Sequence, residues 1–554
     1  MTGTKLSNIF FNIRFIGYVL LFLTVNSTVY SQNCTQDLDF NFKSSSPGLG
    51  INWEQFPEFS LPFKVVYGGT SIFENYNLQS KRGYSHFANA FNFSKIPATQ
   101  RALVFYGVTD ALPLQPWHTE KNPWGNDLTV LARYWDSRIA GFQKETGGNN
   151  FIDADLMIFD IERQIKSDDS ILVLKKSAFT PAEIKSLPND QFILAYKKEL
   201  QKLYSLSFEY FQNKAFPSSG HFSSYTDSPV LNTFTNIQGK TWEQWKTQKS
   251  ALNYLCYDFD KQIVGGSFYN YQTFLTPSAY FYYDYPHPFA SEYLSYLLFQ
   301  IEANRVWSPK EQMLFVWQRY SFNPDYVKKS IKPWMAESMA IFPFMAGAKG
   351  IFFWEDPSDL SSRSDFSNYE YFTKGLYRLS KYKEVFDGDY KIIEEFSARD
   401  YNENKKPIWR GILNGTQLLV AAQNPYAKSE SELVELTIKH GNWAKNITLK
   451  GYDLFLCKYD LTLPTFLVSE EPRIVVFPNP SSDFLQILGL DLNMEKVNIE
   501  IFDSGSKLVK KSELKTNAGG LVTIEGIKTL APGNYIIKIV QGVNVVTRKF
   551  YINE

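Results

Sequence analysis

Short apolar runs recur along the first two thirds of the chain, and most end in acids or aromatic rings. They are FKVVYGG (63–69), ALVFYGVTD (102–110), DLMIFDIE (155–162), GHFSSYTD (220–227), NYLCYDFD (253–260), AYFYYDYP (279–286), EQMLFVWQRY (311–320) and KGIFFWED (349–356). Their length and their β-branched and aromatic content read as strands. Between them, stretches such as 128–145, 195–214 and 292–307 repeat apolar residues every three or four positions and read as amphipathic helices. Strand and helix alternating eight times over about 300 residues predict an α/β fold, a (β/α)8 barrel of the TIM type, over 32–389. The connection 228–252 has less helical periodicity and is expected to form a long loop beside the active face.

The pattern changes at Tyr390. Residues 390–462 alternate at strand length and are broken by NG, NP and GN turns, which predicts a β-sandwich accessory domain. The Pro-containing, acidic 463–472 reads as a linker. Beyond it, 473–554 again alternates in short strands, with turns at Pro478, Pro480, Gly505 and Pro532-Gly533, so a second small antiparallel sandwich is expected.

Composition narrows the function. Residues 1–31 place Lys5 and Arg14 before the apolar stretch FIGYVLLFLTV and end on Val29 and Ser31, the order of a cleaved export signal. An apolar core of about eleven residues is too short to span a bilayer, which needs about 20, so no transmembrane segment is expected after signal removal. Fifty-seven Lys and Arg balance fifty-seven Asp and Glu, leaving no basic surplus for nucleic acid. Cys34, Cys256 and Cys457 lie far apart, make no disulfide framework and leave at least one thiol unpaired. Five scattered histidines form no H-x-x-x-H pair, so neither a metal nor another cofactor is expected. Aromatics at 17% suit a protein that handles sugars, although cores also consume rings.

In the last segment, FPNPSSDFLQI, IEIFDSGSKLV and LAPGNYIIKI resemble, in order and spacing, the type IX secretion C-terminal sorting domain of Bacteroidota. The resemblance covers 473–554. It implies passage through the outer membrane by the type IX machinery, removal of this domain, and release or attachment at the cell surface.

A barrel works at the C-terminal ends of its strands, and there the acids gather. Asp160 and Glu162 close the third run, Asp284 and Glu355 close later ones, and Tyr106, Tyr225, Tyr282, Trp317 and Trp354 stand beside them. Two residues apart on a strand, Asp160 and Glu162 point to one side about 6.6 Å apart along the backbone. Carboxylates so close cannot both ionise freely; one keeps a proton, as glycosidic cleavage requires. FDIER is similar to the acidic strand end of hyaluronidases and, more loosely, of chitinases. That resemblance implies Glu162 as acid/base, Asp160 as the residue orienting an N-acetyl nucleophile of the substrate, and Tyr282 or Tyr225 steadying the acetamide. The chain departs from those patterns at Ile158, where chitinases have a further acid, and at Ile161, where hyaluronidases tend to have tryptophan. A second arrangement pairs Glu162 with Glu355 or Asp284 across the barrel in the two-carboxylate scheme. A third makes Asp160, Glu162 and Arg163 (or Arg133) a structural ion network. For Trp317 and Trp354, core packing competes with a role as sugar platforms. The expected function is therefore a secreted glycoside hydrolase acting on an extracellular polysaccharide or glycan. The alternative is a cell-surface carbohydrate-binding or adhesion protein without turnover. A serine protease is disfavoured, since no G-x-S-x-G elbow exists.

Overall fold

The computed structural model describes residues 33–34 and 38–553, apart from 71–75, 89–92, 110–122, 149, 162–164, 217–219, 232–236, 285–286, 322–323, 327–328, 357–364, 463–473, 491–493, 518–519 and 543. The expected signal (1–31) and linker (463–472) lie outside the described residues, as do Glu162 and Arg163. The chain divides into two compact units, 1–440 with 446–463, and 441–445 with 464–554.

The first unit begins with a two-residue strand, β1 (Asn33–Cys34), followed by parallel strands β2 (Lys64–Gly68), β3 (His86–Phe87), β4 (Ala102–Tyr106), β5 (Leu156–Asp160), β6 (His221–Ser224), β7 (Met313–Trp317) and β8 (Gly350–Trp354). Val65, Val66 and Tyr67, like Met157, Ile158 and Phe159, are buried in succession, as strands covered on both faces require. β3 pairs with β2, β2 with β8 and β8 with β7, all parallel. β4 pairs with β5 and β5 with β6, also parallel. Single parallel bridges join these two sets: Phe87 with Arg101, Tyr225 with Thr276, Leu275 with Gln312 and Ser278 with Phe315. The extended segment 275–281 thus stands between β6 and β7, and the pairings that leave β2 through β3 return to it through β8.

Three strands differ from expectation. Among its described residues, the run expected at 279–286 makes a single bridge, Phe281 with Tyr320, and no continuous ladder. Residues 253–260 are a 3-10 turn, Tyr254–Cys256, followed by Tyr257–Asp258 in a small antiparallel hairpin with Ile263–Val264. Side chains impose the turns: Asn253 accepts from Leu255 N at 3.0 Å, and Asp258 accepts from Asp260 N and Lys261 N at 3.0 Å each. Conversely, β3 holds two residues and has no aliphatic run to announce it.

Helices α1 (Leu128–Thr146), α2 (Asn189–Lys214), α3 (Tyr293–Trp307), α4 (Pro333–Met345) and α5 (Ser367–Ser380) follow the strands. α1 starts at Asp127, whose carboxylate accepts from Thr129 N and Val130 N, and stops at Gly147 in the left-handed region. α3 and α4 are buried nearly all round, which calls for covering layers on opposite sides. One cover is the antiparallel sheet that follows. It is made of β9 (Lys391–Ile393), β10 (Ile408–Asn414), β11 (Gln417–Gln423) and β14 (Phe455–Asp460), with β1 along β14 in the order β1-β14-β11-β10-β9. The hairpin β12 (Leu433–His440) with β13 (Trp443–Lys450) forms its own two-stranded sheet. Between layers, Glu302 of α3 and Arg410 of β10 form an ion pair with 0% exposure on both sides. Ala398 N donates to the same carboxylate at 2.8 Å. Cys457 is disulfide-bonded and Cys34 lies opposite it in the β1–β14 register, whereas Cys256 is free and buried.

In the second unit, strands 475–477, 484–488 and 521–525 form one antiparallel sheet, and 508–515, 496–503, 533–541 and 544–552 form another. One apolar core takes Leu485, Ile487 and Ile524 from the first and Val497, Ile499, Ile537 and Phe550 from the second. Among the described residues no helix is long and apolar enough to cross a membrane.

Candidate active site

Leu156 and Ile158 of β5 belong to the apolar cluster enclosed by the parallel strands, with Ala102, Phe315 and Phe352; Val104, Tyr225, Tyr280 and Trp354 pack against it. Side chains two apart on a strand point the same way. Asp160 therefore continues the inward row of Leu156 and Ile158 at the C-terminal end of β5. By the same count Tyr106 continues Val104, Trp317 continues Phe315, Trp354 continues Phe352, and Tyr282 follows Tyr280. Register places Tyr106 opposite Asp160 and Trp354 opposite Trp317. Tyr106 is 51% exposed, so this row ends at solvent. Glu162 lies outside the described residues.

At the same strand ends the rings pack into one cluster, with Tyr225 next to β5 through its N–H to Phe159 O at 2.8 Å. Tyr225 packs edge-on to Phe315 at 4.9 Å and lies 6.1 Å from Tyr280. Tyr280 stacks on Trp354 at 5.6 Å and meets Trp317 at 5.6 Å, and the two tryptophans cross at 4.9 Å and 72°. Beneath them Phe315 and Phe352 stack at 4.2 Å. Tyr225, Trp317 and Trp354 are thus brought into one cluster, in which Trp317 is buried in the manner of a core residue. The ring between them, Tyr280, was missed by sequence reasoning, although its parity with Tyr282 would have found it. At the end of β2 there is no side chain at all: a Cβ on Gly68 would come within 2.8 Å of Phe353 O and of the Phe352 ring. The backbone runs against the cluster because glycine lets it.

The remaining acids are held elsewhere. The Glu355 side chain is 0% exposed. It accepts from Trp317 Nε1 at 2.7 Å and Tyr369 Oη at 3.2 Å, and lies 3.5 Å from Arg319 Nε. It fixes the indole plane from behind. Asp284 accepts from Tyr320 Oη at 2.6 Å and lies 3.5 Å from Lys332 Nζ. Burial, and then the bond to Asp284, push the Tyr320 hydroxyl far above its ordinary pKa, so it stays a donor. Asp227 turns back to accept from Ser224 Oγ at 2.6 Å. Asp258 and Asp260 belong to the small hairpin and not to the parallel strand ends. Among the described residues no three His, Cys, Asp or Glu side chains are grouped to hold a metal.

Comparison with solved structures finds bee venom hyaluronidase, at 11% identity over 46% of this chain and 79% of that one, with a TM-score of 0.30. It also finds a Cellulomonas fimi endo-β-1,4-mannanase double mutant, at 10% identity over 82% and 77% of the two chains, TM-score 0.29. A glycoside hydrolase family 30 subfamily 8 xylanase from Clostridium acetobutylicum is similar at 7% identity over 73% and 98%, TM-score 0.25. A search of curated proteins gave no match. Residues 475–553 match the family model described as the secretion system C-terminal sorting domain. The second unit is thus a type IX sorting domain, and the protein that carries it is exported, to be secreted or held at the cell surface.

Proposed function

We propose that the protein is an exported glycoside hydrolase that cleaves an extracellular polysaccharide or glycan. The circuit of parallel pairings supports a (β/α)8 barrel. The core shared by the two C-terminal sheets supports a sandwich there, and 390–462 forms the accessory region with an antiparallel sheet over α3 and α4 and a two-stranded hairpin. In the same reading 1–31 is a cleaved leader and 463–472 a linker. The observation that carries the enzymatic reading is that Asp160 takes an inward position at the C-terminal end of β5, at the same strand ends as the packed rings of Tyr225, Tyr280, Trp317 and Trp354. Pyranose rings present an apolar face that stacks on such side chains, and an acid at the same strand ends is where a glycosidic bond is protonated or a substrate group oriented.

In this reading Glu162 is the acid/base, Asp160 orients the reacting group and shares the proton, and Tyr282 or Tyr225 steadies the sugar. Glu355 is a positioning residue: its carboxylate is closed off by Trp317, Tyr369 and Arg319. That speaks against a place for it in the two-carboxylate scheme, in which Asp284, bound by Tyr320 Oη and 3.5 Å from Lys332 Nζ, is the other candidate. The same observation favours the rival reading, a sugar-binding protein without turnover, if Asp284 and Asp160 do not serve. The deciding measurement is reducing-sugar release by the mature chain from a panel of glycans. Glu162→Gln is expected to lower the rate about 10²–10⁴-fold, the usual worth of a general acid. Equal rates for both proteins would exclude Glu162, and glycan binding without release by the intact protein would establish the rival.

A further inference from the structure

A cavity of about 250 Å³ is walled by Ile237, Gln238, Tyr283, Phe289, Tyr296 and Asn402. Three separate stretches build it: the connection after β6, the connection after segment 275–281 running into α3, and the helix Ala398–Asn404 that precedes β10. The first two leave the same end of the parallel strands as Asp160. Tyr283 directly follows Tyr282, one of the expected sugar contacts. The last stretch comes from beyond Tyr390, where the accessory region begins.

We propose that this cavity is a second sugar subsite, which takes one neutral or N-acetylated pyranose ring of the substrate chain at a distance from the bond that is cut. The inference rests on the glycosidase reading above. Drug-sized ligands occupy about 300–1,000 Å³, so this cavity suits a single ring. Its walls have the two surfaces a pyranose needs. Tyr283 is fixed from one side by His287, stacked at 4.0 Å and 11°, and Phe289 N donates to His287 Nδ1 at 3.1 Å. Phe289 itself is 52% exposed, an aromatic face kept at the surface where burial would otherwise favour covering it. Opposite the rings, Gln238 Nε2 donates to Asn402 Oδ1 at 2.5 Å. Gln238 Nε2 also donates to the Asn402 carbonyl at 3.4 Å; Asn402 is buried, so the exposed Gln238 is the polar group this wall offers, with Oε1 as an acceptor for a sugar hydroxyl or an acetamide N–H. Glu292, also in the wall, is ion-paired with Lys405. The pair balances its own charge, so among the described residues the wall offers no unpaired cation for a uronic acid or a sulfated ring and suits a neutral one.

A remote subsite adds binding energy only for chains long enough to reach it. The test therefore combines location with chain length. Crystals of the mature chain are soaked in N-acetylglucosamine and, separately, in mannose. In solution, affinity for β-1,4-mannan, xylan and chitin is compared with affinity for the matching trisaccharides, in the wild type and in Phe289→Ala and Gln238→Ala. One ring is expected between Phe289 and the Gln238–Asn402 pair. Both variants should lose about tenfold in polymer affinity, with trisaccharide affinity unchanged. Sugar in the cleft at Asp160 beside a cavity holding only solvent, or equal losses on polymer and trisaccharide, overturns the subsite and leaves the glycosidase reading intact. A filled cavity in a protein that cuts none of the polymers overturns the glycosidase reading and keeps the pocket. Sugar at neither place overturns both.

Discussion

Asp155 stands at the opposite end of β5 from Asp160. It accepts from His86 Nε2 at 2.9 Å and from Lys64 Nζ at 2.5 Å. Burial pushes its pKa up, but the bonds from His86 and Lys64 outweigh it and hold the carboxyl at about 2. The folded chain therefore binds this proton less readily than the unfolded chain does. The stabilisation is complete above about pH 4 and is lost as pH falls through about 2. Asp155→Asn is expected to cost about 2 kcal/mol at pH 7 by urea unfolding, a difference that shrinks below pH 4. A constant difference across that range would mean that packing, and not charge, is what the substitution removes. Glu355 makes the complementary case. Glu355→Ala strands Arg319 in the core and is expected to cost about 3–5 kcal/mol. Glu355→Gln keeps an acceptor for Trp317 Nε1 and should raise KM more than it lowers kcat. A loss in kcat with KM unchanged would instead make it a reacting group. The sequence shows that Glu355 ends a strand but not that three partners close over it, because Tyr369 and Arg319 come from other elements.

Among elements, what could be read from the sequence tracks how much of the signal is local. β5, β7 and β8 are continuous apolar runs, and the expected strands fall on them within about three residues at each end. β3 was invisible because His86 and Phe87 pair only where β2 has already formed an edge for them. The misread at 253–260 has the reverse cause: an apolar alternation was overruled by the turn chemistry of Asn253 and Asp258. The ion pair between α3 and β10 was also out of reach, since Glu302 and Arg410 look like surface charges until both layers are in place. It yields a prediction at this scale. Arg410→Met alone leaves Glu302 buried without its partner and should cost about 3–5 kcal/mol. Adding Glu302→Leu should restore much of that loss, because two well-packed apolar chains replace a desolvated pair. Additive losses in thermal unfolding of the double variant would show that Glu302 matters mainly through Ala398 N, at the start of the helix before β10.

For the molecule as a whole, the export address was the most legible feature, because its strands and turns are all local and 475–553 suffice to define it. The chemistry was least legible, because it depends on which acids the strands bring to one mouth. These two properties sit in different compact units. Ile474, Leu485, Val497, Ile499, Ile537 and Phe550 give the second unit a core of its own. The first unit is tied at its edge by Cys457, with Cys34 opposite it in register. A domain with its own core unfolds as its own cooperative unit. Removal of 464–554, the change that sorting is expected to make, should therefore delete one calorimetric transition and leave the Tm of the other unchanged within about 2 °C, the shift that roughly 1 kcal/mol produces in a domain this large. Sugar release should be the same before and after removal. Reductant should lower the Tm of the remaining transition, because a disulfide closing so long a stretch stabilises by about 2–5 kcal/mol. A drop in that Tm on removal of the tail alone would mean that the first unit draws stability from the sorting unit and does not unfold independently of it.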